Sequence, residues 1–144
     1  MRPAKLIAIA VVRDADRFLI GLRPPDVPLA GYFEFPGGKV EPHETAADAA
    51  VRECREEAGL DVVPLVELES CEHDYEHARV QLRFFECRCV DVRQLPREPF
   101  RWVARDELSK LKFPDANRSL VARLSTGLPL ATVPVSDMTR LGDA

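Results

Sequence analysis

Residues 38–60 read GKVEPHETAADAAVRECREEAGL, and this stretch gathers the side chains best suited to chemistry. Glu53, Glu56 and Glu57 fall three and four residues apart, so on a helix their carboxylates project from neighbouring positions on one side. Many glutamate-bearing helices only present a solvated face. Here, however, the crowding of like charge opposes the helix, and Arg52 can offset the carboxylate at Glu56 but not all three. A bound divalent cation would offset them all. Hard oxygen ligands of this kind suit Mg²⁺, with Mn²⁺ as the alternative, and Mg²⁺ commonly joins carboxylates to substrate phosphates. Just upstream, Pro36-Gly37-Gly38 lets the backbone bend tightly and approach a ligand closely. Loop and helix together hold the equipment for attack by water on a phosphate. The cation neutralises charge and lowers the pKa of water, and a spare carboxylate takes the proton.

Such a cluster needs a rigid element beneath it. Residues 45–58 carry the signals of a helix: Thr45 with Asp48 forms a capping-box-like start, and Gly59 stands where a helix stops. Ala47, Val51, Cys54 and Ala58 make one apolar stripe, with the glutamates fanned out beside it. Strands are expected at residues 5–12 and 17–23, joined by a turn at 14–16, and a proline-rich loop fills 24–32. Residues 33–35 form a short extended piece that Pro36-Gly37-Gly38 breaks. Two longer strands at 62–72 and 79–90 make a hairpin in which His73 and His77 are ordinary turn-region residues. A short strand at 100–103 and short helices at 106–111 and 115–124 follow. This mixed order predicts an α+β chain of one domain, residues 1–125, with an irregular C-terminal extension at 126–144.

The 144 residues suffice for one unaided core, and 46% hydrophobic with 31% charged residues is an ordinary soluble balance. A net charge of -4 argues against a broad basic surface for a nucleic-acid polymer. It also means that anionic phosphates would need a cation to bridge like charges. The apolar run at 6–12 is too short to span a bilayer and ends in Arg13 and Asp14 without a cleavage site, so no membrane association and a cytoplasmic location are expected. Cys71, Cys87 and Cys89 with His73 and His77 match no usual zinc spacing, and the four cysteines, Cys54 included, read as reduced thiols.

Residues 38–60 match the Nudix box, G-x5-E-x7-R-E-U-x-E-E-x-G-U with U a bulky apolar residue, at every fixed position. Cys54 fills the first U, where Leu or Ile is more usual. Similarity to the MutT-type branch extends over residues 5–124, through LIAIAVV, IGLRP, FEFPGGKVE and FPDAN. The resemblance implies an α/β/α sandwich around a mixed β-sheet. It implies that the Gly38 carbonyl with Glu53, Glu56 and Glu57 binds Mg²⁺, that Arg52 orients the carboxylates, and that Glu44 supports the loop-helix junction. Glu53 is then the proton acceptor, and Glu98, in the loop before the strand bearing Trp102, is an additional acidic candidate. Arg23, Glu34, Phe35, Gly37, Lys39 and Asn117 would contact the nucleotide, with Asn117 reading a guanine edge through its donor and acceptor. An asparagine near a helix start also reads as a cap, and Phe35 as core packing.

In the MutT-like pattern, water attacks the β-phosphorus of a nucleoside triphosphate and releases a monophosphate and pyrophosphate. Removal of oxidised nucleotides such as 8-oxo-dGTP is the leading expectation. A cytidine nucleotide, ADP-ribose or another dinucleotide are the alternatives within the same chemistry. A non-catalytic module that recognises oxidised guanine is the alternative of another class, disfavoured by the full carboxylate set.

Overall fold

In the computed structural model, which describes residues 3–135, the N-terminal apolar run is β1 (Lys5–Asp14), which turns at Ala15-Asp16 into β2 (Arg17–Leu22). β3 (Phe33–Glu34) and β4 (Gly37–Lys39) lead to helix α1 (Ala46–Ala58). The long strands β5 (Val62–Asp74) and β6 (Arg79–Cys89) follow, then β7 (Phe100–Ala104) and a 3₁₀ helix (Arg105–Lys110). Helix α2 (Asp115–Thr126) and β8 (Val133–Pro134) complete the order.

The sheet is mixed. β1 runs parallel to β6 from Lys5↔Val80 to Val12↔Cys87, while its other edge pairs antiparallel with β4. The remaining pairings are antiparallel, with β2 taking β3 and β7 as neighbours. Because side chains alternate along a strand, β1 feeds two apolar layers. Ala8, Ala10 and Val12 face α1 together with Phe85 and Cys87. Ile9 and Val11 join Phe84, Leu120, Val121 and Leu124 beneath α2. The result is the expected α/β/α sandwich. Phe18, Phe84 and Phe85 are fully buried, and each such side chain contributes roughly 1.5–3 kcal/mol of hydrophobic stabilisation.

The two layers differ in texture. Under α1 the helix buries Ala46, Ala47, Ala49, Ala50, Cys54 and Ala58 over Ala8 and Ala10. Small side chains on both partners let the helix lie close to the sheet, which brings its carboxylates down to the edge strand β4. Both ends of α1 are fixed locally. Thr45 Oγ1 accepts from the Asp48 N–H at 3.1 Å, and Gly59, left-handed at φ 71°, donates its N–H to the Arg55 carbonyl at 3.1 Å.

Two expectations are corrected. The extended piece is interrupted as expected, but at Phe35-Pro36; Gly37 and Gly38 belong to the next strand, β4, paired with Ile9 and Ala8. The chain after Gly127 is not wholly irregular: β8 adds to the edge of β5 through Val66↔Pro134 and Glu67↔Val133, and α2 runs on to Thr126. Residues 136–144 of the expected extension lie outside the described residues. Cys71 packs with the α2 layer while Cys54, Cys87 and Cys89 sit in the α1 layer, so the sheet separates the thiols that a shared zinc site would need.

Candidate active site

Gly38 is where strand and helix meet. A Cβ on it would stand 2.5 Å from Glu53 Cδ and 2.6 Å from Glu53 Oε1, so only glycine lets the carboxylate lie flush against β4. Its neighbour Gly37 donates its N–H to Glu57 Oε1 at 3.1 Å. The edge strand therefore holds two of the three helix carboxylates, one by close packing and one by a hydrogen bond.

Arg52 holds the rest. Its Nε donates to Glu44 Oε2 at 3.0 Å and its Nη2 to Glu44 Oε1 at 2.7 Å. Nη1 reaches Glu53 Oε1 at 3.0 Å and Glu56 Oε1 at 3.1 Å, and Nη2 also donates to the Lys39 carbonyl at 3.1 Å. The pairing raises the already high pKa of Arg52 and lowers that of Glu44, in both cases chiefly through their mutual hydrogen bonds. One planar guanidinium thus ties the loop at Glu44, strand β4 and two turns of α1 into a single unit.

The carboxylates remain crowded despite this. Burial pushes Glu57 up to about 8, and the nearby Glu53 and Glu34 carboxylates add to the rise against the opposing Gly37 N–H. As placed, no three acidic, thiol or imidazole side chains among the described residues converge on one ion. Glu53 and Glu56 face Arg52, and Glu57 faces Gly37. The donor set nevertheless suits a hard divalent cation: it is all oxygen, it is partly buried, and its mutual repulsion is what a cation would relieve.

A pocket of about 240 Å³ opens beside Gly37 and Gly38. Arg23, Glu34, Phe35 and Asn117, which are far apart in sequence, all line it. Arg23 Nη1 donates to Glu34 Oε1 at 2.6 Å, and its Nε to the Pro28 carbonyl at 2.8 Å. Burial raises the pKa of Glu34 in spite of the Arg23 guanidinium. Phe35 serves both the core and the pocket, with its ring stacked on Phe113 at 5.5 Å.

Asn117 is the only buried polar residue among the described residues. It is the third residue of α2 rather than its cap, which is Pro114, and its side-chain amide takes no hydrogen bond from or to another described residue. The residue lines the pocket, where its amide keeps both a donor and an acceptor available to a ligand.

Two of the proposed site residues lie apart. Lys39 lends its carbonyl to Arg52, but its side chain is exposed and does not line the pocket. Glu98 is exposed and takes part in no hydrogen bond or ion pair among the described residues. Its loop is nevertheless docked on the end of α1, where the Arg97 N–H donates to the Ala58 carbonyl at 2.7 Å and Arg97 Nη2 to the Glu56 carbonyl at 2.7 Å. In the other direction, Tyr75 and His77 line the pocket, whereas the sequence suggested only a hairpin turn for His77. The rings of His73, at the end of β5, and of Tyr75 and His77, in the turn that follows, lie in succession with centroids 4.3 and 5.3 Å apart, and no strand periodicity extends to Tyr75 or His77.

A NUDIX domain model matches residues 8–123. The chain is 31% identical over 121 residues to the 8-oxo-dGTP diphosphatase of Escherichia coli K12, covering 82% of this chain and 94% of that one. It is 43% identical over 61 residues to the CTP pyrophosphohydrolase of the same organism, covering 42% and 44% of the two chains. The solution structure of MutT, a Nudix hydrolase family protein from methicillin-resistant Staphylococcus aureus 252, superposes with a TM-score of 0.70 at 30% identity, covering 89% of this chain and 100% of that one.

Proposed function

The chain belongs to the Nudix family, and on that premise we propose that it hydrolyses oxidised purine nucleoside triphosphates, with 8-oxo-dGTP as the leading substrate. Hydrolysis of a nucleotide phosphoanhydride goes with the family. The choice of base is our reading, and the observation that carries it is Asn117, which lines the pocket beside the Gly37-Gly38 strand with its side-chain amide bound to no other described residue. That amide offers both a donor and an acceptor to a guanine-type edge. The near full-length likeness to an 8-oxo-dGTP diphosphatase supports the same base.

The triphosphate would extend from this pocket past Gly37 and Gly38 toward α1. Water attacks the β-phosphorus, the bond to the α–β bridging oxygen breaks, and nucleoside monophosphate and pyrophosphate leave. Glu53 takes the proton from the attacking water. Arg52 keeps Glu53 and Glu56 in register, and Glu44 keeps Arg52 in place. Arg23, which lines the pocket and is paired with Glu34, would contact the phosphates or the base edge. Divalent-metal dependence goes with the family; Glu53, Glu56, Glu57 and the Gly38 carbonyl would hold Mg²⁺ here, where it supplies charge neutralisation on the phosphates and a lowered water pKa.

Glu53→Gln and Glu57→Gln test the catalytic part. Each is expected to lower turnover of 8-oxo-dGTP by at least about 10²-fold, within the range that positioned acid-base groups contribute. Full activity in both variants would refute the assignment of the carboxylate cluster.

A further inference from the structure

The start of α2 lacks the usual device for its first amides. Its cap is Pro114, which has no side-chain oxygen to receive the N–H groups of the first turn. Those of Ala116 and Asn117 are nevertheless satisfied. The Asn117 N–H donates to the Pro114 carbonyl at 2.9 Å, and the Ala116 N–H donates to Tyr75 Oη at 2.9 Å. Tyr75 reaches it from the turn of the β5–β6 hairpin, within the layer that α2 covers, so the hydroxyl acts as a cap supplied by a residue distant in sequence. The other backbone polar group of Ala116 is also held: Cys71 Sγ donates to its carbonyl at 3.2 Å. Cys71 lies in β5 and Tyr75 directly follows its end, and both pack against the core layer beneath α2.

Ala116 is buried, and the residue that follows it is Asn117. The Tyr75 ring lines the same pocket as Asn117 and is flanked by the rings of His73 and His77. We propose that Tyr75, with Cys71, is a positioning residue for base selection: together they clamp both backbone polar groups of Ala116 and so fix the angle at which the Asn117 amide meets the base. The proposal rests on Asn117 being the base reader. It assigns discrimination to two side chains outside the Nudix box, one of them a hydroxyl whose removal leaves the ring and its packing in place.

The test is calorimetric binding of the product nucleotides 8-oxo-dGMP and dGMP, without metal, to the wild type, Tyr75→Phe, Asn117→Ala and the double variant, with steady-state kinetics alongside. The wild type is expected to prefer 8-oxo-dGMP, and Asn117→Ala to lose that preference. Tyr75→Phe should reduce the preference about fivefold, the size of effect that one lost helix cap produces. The loss should fall on KM rather than kcat, and Tyr75→Phe should change nothing further once Asn117 is alanine. A purely structural role would weaken both nucleotides equally and leave their ratio unchanged, which would overturn the proposal. An equal loss of preference in both backgrounds would also overturn it. If Asn117→Ala keeps the wild-type ratio, the base-reader assignment itself fails and the Tyr75 proposal falls with it. Should Tyr75→Phe fold poorly, Cys71→Ala and Cys71→Ser carry the same comparison. The alanine is expected to lower the ratio and the serine, which keeps a donor, to restore it; equal ratios in the two would count against the clamp.

Discussion

Arg52 meets Glu44 through two parallel hydrogen bonds, Nε to Oε2 at 3.0 Å and Nη2 to Oε1 at 2.7 Å. The fork-to-fork pair leaves Nη1 to span Glu53 and Glu56, so the loop before α1 sets where the carboxylates of the helix stand. Lysine has the charge but not the fork. Arg52→Lys is therefore expected to lower turnover about 10- to 100-fold, as loss of a supporting partner at a metal site commonly does. Glu44→Gln should lose less, because the amide still accepts one bond. Steady-state kinetics with a Mg²⁺ titration separates the two, and wild-type rates in Arg52→Lys would show that charge alone suffices.

Gly38→Ala probes the close approach of strand and helix. The added Cβ would stand 2.5 Å from Glu53 Cδ, so the carboxylate must move aside. A displacement of about 1 Å in a reacting group can lower rate about 10²-fold. The fold should survive, since Glu53 is a side chain that can swing aside. Activity should therefore fall far more than the melting temperature, and an active Gly38→Ala enzyme would contradict the tight packing described here.

Glu57 predicts how stability follows pH when divalent metal is removed. In the folded protein burial holds its pKa at about 8, against an ordinary value of 4.5. Between those values the folded state keeps a proton that the unfolded chain has released, so folding becomes less favourable as pH rises. This contribution is fully present below 4.5 and is lost progressively on the way to 8. In EDTA the melting temperature of the wild type should fall over that window more steeply than that of Glu57→Gln, which does not titrate. Parallel curves in thermal melts would show that Glu57 ionises normally.

Glu98 is expected to matter less than the α1 cluster. Its side chain is exposed and held by no other described residue, whereas the adjoining Arg97 anchors the loop on the last carbonyls of α1. Glu98→Gln should change kcat/KM by less than about tenfold, within the lower end of what a positioned acid-base group supplies. A larger loss would give Glu98 a direct part in proton transfer or metal binding.

Much of this site could be read in the sequence because it is local. The capping threonine, the glycine stop and the carboxylate spacing of α1 are all decided within residues 45–59, and each is found as expected. The pocket beside Gly37 and Gly38 was legible only as a set of residue types. Arg23, Glu34, Phe35 and Asn117 come together through the pairing of β2 with β3 and the placement of α2, which no local signal encodes. β4 was hidden because glycine is a poor strand former; the pair is used there because Gly37 must clear the Ala8 backbone and Gly38 the Glu53 side chain. The Tyr75 hydroxyl as a cap for α2 was likewise invisible, since donor and acceptor lie on elements brought together only in the folded sandwich.

The most direct test of oxidised-nucleotide hydrolysis is turnover with Mg²⁺ on a panel of 8-oxo-dGTP, dGTP, dCTP, CTP and ADP-ribose, with the products separated chromatographically. A clear kcat/KM preference for 8-oxo-dGTP over dGTP is expected, with the monophosphate and pyrophosphate as products. Preference for a cytidine nucleotide or ADP-ribose, or release of inorganic phosphate from 8-oxo-dGTP, would contradict it.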